Sequence, residues 1–164
     1  MASGLLFDPL KLLRLAPLIT STATLMYAHD QHLFFNAWTH ESYRKEANAF
    51  LPRWFNICVH RAIIIIFTVY PATMILAGAN IYLADPADQL ATKFYYGGLA
   101  FTFGHFLFGK WAMRLIGAIE NDESKGNSTT DMRSWLAMNM IRSVTVDLLG
   151  FLSFLMAVMA SLRV

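Results

Sequence analysis

From Ala62 to Ala84 the chain runs for 23 residues without a formal charge. A helix of that length rises roughly 35 Å, more than the roughly 30 Å hydrocarbon core of a bilayer. Phe94 to Gly109 carries no formal charge either, and Ser143 to Leu162 carries only Asp147. Three such stretches in 164 residues leave little sequence for a water-facing exterior. Charged residues are 15% of the chain, against about a quarter in a typical soluble domain. The pattern predicts an all-α integral membrane protein.

A fourth apolar stretch follows Lys11 and Arg14. The expected helices lie at about 15–38, 54–84, 94–119 and 135–162, forming one transmembrane domain over 1–164, an up-down-up-down four-helix bundle. Pro71 is expected to bend the second helix. Residues 84–88 (ADPAD) read as a turn and 120–131 as a polar loop. Trp38, Trp54, Trp111 and Trp135 fall near the same inferred helix ends, as an aromatic belt would. Five basic residues lie in the loops 39–53 and 120–134 against four on the terminal side, which leans towards cytosolic loops. The expected location is the endoplasmic reticulum or another internal membrane.

Cys58 is the only cysteine, which excludes an intramolecular disulfide, a cysteine zinc cage and a cysteine-ligated iron–sulfur cluster. There is no Gly-rich phosphate loop, no dinucleotide fingerprint and no Cys-x-x-Cys-His for haem. The net charge of +2 is spread along the chain, so nucleic acid is not an expected partner. His29 and His32 form an i, i+3 pair, but nearby Arg and Lys disfavour a cation. The sequence therefore predicts neither metal nor cofactor.

The segment TLMYAHDQHLFF, residues 24–35, places ionisable groups inside an expected span. An Asp at a helix centre costs roughly 2.5–3.5 kcal/mol on insertion scales, and such groups face a bundle interior and pair. At 1.5 Å per residue, Asp30, Arg61, Arg142 and Lys110 all fall roughly 10–13 Å below one surface. His29, His32 and His60 share that layer, while Asp147 and His105 lie deeper, at roughly 18 and 21 Å. Trp135, Asn139 and Arg142 share a helix face at i, i+4, i+7. A polar pocket is expected, with Asp30, Asp147, His32, His60, Arg61 and Arg142 as catalytic candidates. Tyr27, His29, His105, Asn139, Trp54 and Trp135 are the substrate-binding candidates. The competing reading is structural: Arg61 and Lys110 snorkel to the interface, and Asp30 pairs with Arg61 or Arg142 to fix helix packing.

Carboxylates, histidines and arginines in a low-dielectric pocket suit general acid–base chemistry. They would serve epoxide opening, with an acid at the epoxide oxygen and a base on water or an internal hydroxyl. They would equally serve deprotonation of an anthrone before attack on dioxygen, with Arg or Lys holding the oxyanion.

Two segments carry a resemblance. LPRWFNICVHR opens the second expected helix, and SWLAMNMIRS opens the fourth with the Trp-x-x-x-Asn-x-x-Arg arrangement at Trp135, Asn139 and Arg142. Over roughly residues 15–162 the chain resembles the anthrone-oxygenase-like family of small four-helix membrane proteins (DUF1772). In size and layout it is also similar to the membrane hydrolases of fungal aurovertin- and citreoviridin-type polyketide pathways. These resemblances imply a role in secondary metabolism and a lipophilic polyketide substrate in an internal membrane. The leading expectation is a cofactor-independent enzyme that opens a polyketide epoxide, by hydrolysis or cyclic ether formation. The alternatives are an anthrone-type oxygenase using dioxygen and a non-enzymatic membrane carrier or adaptor. The expected partners are the lipid bilayer and a lipophilic small molecule, and a homo-oligomer is compatible with so small a bundle.

Overall fold

The computed structural model describes residues 8–161. Among them every regular element is helical and no strand occurs. The chain forms four rods. The first is α1, Pro9–Ala37, and the second is α2, Arg44–Tyr82, preceded by a 3₁₀ turn at Glu41–Tyr43. The third is α3, Gln89–Leu107, continued by α4, Gly109–Glu120. The fourth is α5, Ser128–Arg142, a π turn at Ser143–Asp147, and α6, Leu148–Ser161. Two rods, Glu41–Tyr82 and Ser128–Ser161, are long and apolar enough to cross a membrane.

The helices extend beyond the ends expected from hydropathy. The first begins at Pro9 rather than 15, because Asp8 caps it. The Asp8 carboxylate accepts from the Leu10 N–H at 3.0 Å, and Pro9 occupies the first turn, where a missing N–H costs nothing. The second begins ten residues early, at Arg44 rather than 54. Ala47, Leu51 and Phe55 recur every fourth residue and are fully buried, so this polar-looking extension has a packing face. It runs unbroken through Pro52 and Pro71. The fourth begins at Ser128 rather than 135, with Ser128, Thr129 and Met132 buried.

The rods alternate in direction. At one end, the Tyr95 hydroxyl donates to the Arg14 carbonyl at 2.9 Å, and Asn80 Nδ2 donates to the Leu13 carbonyl at 2.8 Å. Arg14 itself donates to the Ser161 carbonyl at 2.8 Å. At the other end, Arg133 donates to the Thr39 carbonyl at 2.7 Å, and the Thr129 N–H to Asn48 Oδ1 at 2.9 Å. Each end has its own apolar core. Phe35, Leu51, Phe55, Ile119, Met132 and Trp135 form one, and Ala77, Ala91, Tyr95, Phe154 and Ala157 form the other. In the second core the Phe154 ring lies so close against Gly98 that a Cβ there would overlap it. Between the two cores lies a buried polar belt that includes Thr24, Thr73, Thr102, His105, Arg142 and Asp147.

Candidate active site

The centre of the belt is built by the π turn. Five residues of regular α-helix would leave Arg142 and Asp147 roughly 140° apart around the axis. The wider i→i+5 pattern of a π turn brings them onto one face, and Arg142 Nε donates to Asp147 Oδ2 at 3.3 Å. The local sequence favours this loosening. Val144, Thr145 and Val146 are β-branched and crowd a regular turn. Ser143 and Thr145 also bond back to the carbonyls of Asn139 and Ile141, at 2.8 and 2.7 Å, a habit that bends helices.

The other Asp147 oxygen, Oδ1, accepts from the Tyr70 hydroxyl of α2 at 3.2 Å and from His105 Nδ1 of α3 at 2.9 Å. The Tyr70 and His105 rings lie over one another with centroids 3.7 Å apart. Arg142 Nη2 donates to Asn139 Oδ1, and Asn139 Nδ2 reaches the Ala28 carbonyl of α1 at 3.4 Å. All four rods thus meet at one network. The Asp147 and Arg142 side chains are only 1% and 8% exposed. Burial of either charge alone would be costly, and the pair with its three further donors and acceptors offsets that cost.

The network also orients His105. A ring nitrogen bonded to a carboxylate carries the proton, which leaves the lone pair on Nε2. The ring borders a cleft, and Nε2 has no hydrogen-bond partner among the described residues. Asp147 does not border that cleft. The basic atom of the network that borders the cleft is therefore His105 Nε2, and Asp147 fixes the ring's tautomer and direction, as the carboxylate of a Ser-His-Asp triad does.

The cleft lies between α2 and the third rod, closed at the back by α1 and α5. Its volume is about 140 Å³, enough for a benzene-sized group. Val59, Ile63 and Ile66 of α2 face Phe106 and Ile116 across it. The third rod is interrupted at Phe108, one turn after His105, and both Phe108 and Gly109 line the space. Phe67 and Met113 are more than half exposed and stand at the rim. The polar groups that border it are Tyr27, Gln31, His105, Trp135 and Arg142. The Tyr27 hydroxyl lies 3.5 Å from the Ala62 carbonyl, at the outer limit of a hydrogen bond.

No family model matches the chain, so its likeness to the anthrone-oxygenase-like proteins rests on short motifs alone. No solved structure matches it either. Curated relatives do. The probable epoxidase scpX of Mollisia scopiformis is 41% identical over 157 residues, which span 93% of this chain and 98% of that protein. The epoxidase pydX of Acremonium sp is 39% identical over 94% of this chain and 96% of its own length. The epoxidase gkaX of Penicillium citrinum is 38% identical over 93% of this chain and 96% of its own. The chain belongs to this family of fungal epoxidases.

In this member of the epoxidase family, the residues singled out from sequence divide into two groups. Asp147, Arg142, Asn139 and His105 come together in the network, and Tyr27 and Trp135 border the cleft with two of them. His29, Asp30, His60 and Arg61 are exposed on outer helix faces. Asp30 and Arg61, expected inside the pocket, thus lie outside it, and among the described residues they make no ion pair, so the competing reading of an Asp30 pair with Arg61 or Arg142 is not met either. His60 Nδ1 bonds to its own helix, at the Asn56 carbonyl 2.7 Å away. His32 is half-buried beside His29 in a separate groove between α1 and the fourth rod, and its Nδ1 has no partner among the described residues. Among the described residues no third His, Cys, Asp or Glu joins them as a metal site would need. Trp54 packs against Phe35 and Trp38 rather than the cleft. Tyr70 and Gln31 enter the site without having been singled out. Tyr70 lies in the uncharged run 62–84, where nothing but its hydroxyl distinguishes it.

Proposed function

We propose that this protein is a membrane-embedded enzyme of fungal secondary metabolism that forms an epoxide on a lipophilic alkene of polyketide type, held in the cleft beside His105. The observation that carries this reading is 38–41% identity, over 93% or more of the chain, to proteins named epoxidases. This reading runs opposite to the one expected from sequence, making an epoxide rather than opening one. The balance is alkene plus dioxygen, two electrons and two protons, giving epoxide and water. The electrons come from an external hydride donor, a reduced nicotinamide or flavin. His105 Nε2, held by Asp147, handles protons at the reacting end, and Arg142 and Tyr27 stand where an oxygen-centred charge would develop.

Embedding in the bilayer is part of the proposal. Its support is an inside-out surface: Ile75 and Leu107 are 72% and 74% exposed, and Phe34, Ile64 and Phe67 are each above 60%. A water-soluble protein rarely exposes so broad an apolar surface. With all four rods crossing, the cleft rim at Phe67 and Met113 faces acyl chains, and an apolar substrate enters sideways without passing through water.

A second reading keeps the sequence-based direction. The His105–Asp147 pair with Arg142 nearby would also serve to activate water against an epoxide. One experiment separates the two. Purified protein in nanodiscs receives a lipophilic polyene or the corresponding epoxide, under ¹⁸O-labelled dioxygen with a reductant or under argon. A labelled epoxide from the polyene supports epoxidation. A diol or cyclic ether from the epoxide under argon, with no epoxide formed from the polyene, sinks it and selects opening.

A further inference from the structure

Trp135 borders the cleft, and its buried indole Nε1–H has no hydrogen-bond partner among the described residues. Buried donors in native interiors are nearly always paired, so this one is explained if a bound molecule supplies the acceptor. Arg142 lies on the same helix face two turns further on. Its Nε and Nη2 are taken by Asp147 and Asn139, and its Nη1 has no partner among the described residues. Tyr27 adds a hydroxyl whose contact with the Ala62 carbonyl is long, at 3.5 Å. Trp135, Arg142 and Tyr27 therefore line the cleft with donors, and His105 Nε2 and the Gln31 amide oxygen line it with acceptors.

A ligand complementary to that pattern offers an oxygen with lone pairs next to an acidic proton. A full carboxylate fits less well, because Asp147 already offsets the Arg142 charge and the set is neutral as it stands. An uncharged enolisable carbonyl supplies both features. The rest of the cleft is apolar and only about 140 Å³, so it holds the head of a larger molecule and the remainder leaves past Phe67 and Met113. We propose that the substrate is an amphipath with an enolisable carbonyl head directly joined to its alkene, the carbonyl oxygen bonded to the Trp135 indole N–H and Arg142, its acidic proton facing His105, and its apolar tail in the bilayer. This inference rests on the reading of the cleft as the substrate site, and it adds the chemical class of the molecule bound there.

The test is a binding measurement. Protein carrying ¹⁵N-tryptophan in nanodiscs is titrated with a long-chain alkyl β-diketone, with the alkane of equal length, and with the matching fatty acid. The Trp135 indole signal is assigned through Trp135→Phe, a change that keeps an aromatic ring against Phe35 and Phe55. The β-diketone is expected to move that signal downfield and the alkane to leave it in place. Trp135→Phe is expected to weaken β-diketone binding roughly 3- to 10-fold, the worth of one neutral hydrogen bond. Alkane partitioning should not change. An unmoved indole signal, an equal shift with alkane, tighter binding of the fatty acid, or unchanged affinity in a folded Trp135→Phe protein overturns the proposal. Epoxide formation is scored on the same preparation. Binding without epoxide sinks the epoxidase reading alone, and epoxide with an unmoved indole signal sinks only the carbonyl head.

Discussion

Replacing Asp147 by Asn tests the buried network as a unit. The amide keeps the volume but removes the charge that faces Arg142 Nε at 3.3 Å. Asp147 now accepts from three donors, Tyr70, His105 and Arg142. Asn has a single oxygen and brings an NH₂ that must face at least one of those donors. Both members of the ion pair are more than nine-tenths buried, so the small values measured for surface pairs do not apply. Breaking a buried pair typically costs roughly 3–5 kcal/mol. Asp147→Asn is therefore expected to destabilise the protein by about that amount, read as a lower melting point and denaturant midpoint in detergent. The double variant Asp147→Asn/Arg142→Met removes both charges and should recover part of the loss, with a coupling of about 1–3 kcal/mol in the mutant cycle. An Asp147→Asn protein as stable as wild type, or a cycle with no coupling, would refute the idea that this pair is the electrostatic centre of the bundle.

Other outcomes follow from the same geometry. Asp30→Asn changes an exposed carboxylate with no ion pair among the described residues, so stability should not fall by more than about 0.5 kcal/mol and turnover should be retained; a loss of activity in a folded protein would return Asp30 to the site. Gly98→Ala places a methyl into overlap with the Phe154 ring, and overpacking of this kind costs roughly 1–3 kcal/mol, so the melting point should fall while the affinity of the distant cleft does not. For topology, single cysteines at Ala87 and Asn127 in a Cys58→Ser background should react with a membrane-impermeant reagent from opposite sides; labelling from the same side would contradict four crossings.

Hydropathy made the four rods legible, because runs such as 62–84 admit little else. It could not place the helix ends at Arg44 and Ser128. Those segments are polar in composition, and their helicity depends on burying Ala47, Leu51 and Met132 against partners that no local pattern reveals. Depth arithmetic gave each ionisable residue a height along its rod but not a direction around it. The direction was partly readable. On α1 the small and hydroxyl residues Ser21, Thr24 and Ala28 form the buried stripe, and Asp30 is roughly 200° around from Ala28 at 100° per residue. On α2, Tyr70, Thr73, Ala77 and Asn80 mark the inner face, and His60 and Arg61 are off its upward continuation through Val59, Ala62 and Ile66. The shared face of Trp135, Asn139 and Arg142 was visible at regular helical spacing. The Arg142–Asp147 contact was not, because it exists only through a π turn, and a five-residue spacing on an α-helix argues against contact.

The central claim is that His105, aimed by Asp147, handles protons for epoxide formation in the cleft. Gln at 105 can still donate an N–H to Asp147 but cannot take up a proton. The most direct measurement is the initial rate of epoxide formation from one accepted alkene by wild type and His105→Gln, in matched nanodiscs of confirmed equal melting point. General acid–base groups contribute roughly 10²- to 10⁴-fold, so the account predicts a fall of at least about 100-fold, with substrate affinity little changed. A folded His105→Gln protein that forms epoxide at close to the wild-type rate would contradict it.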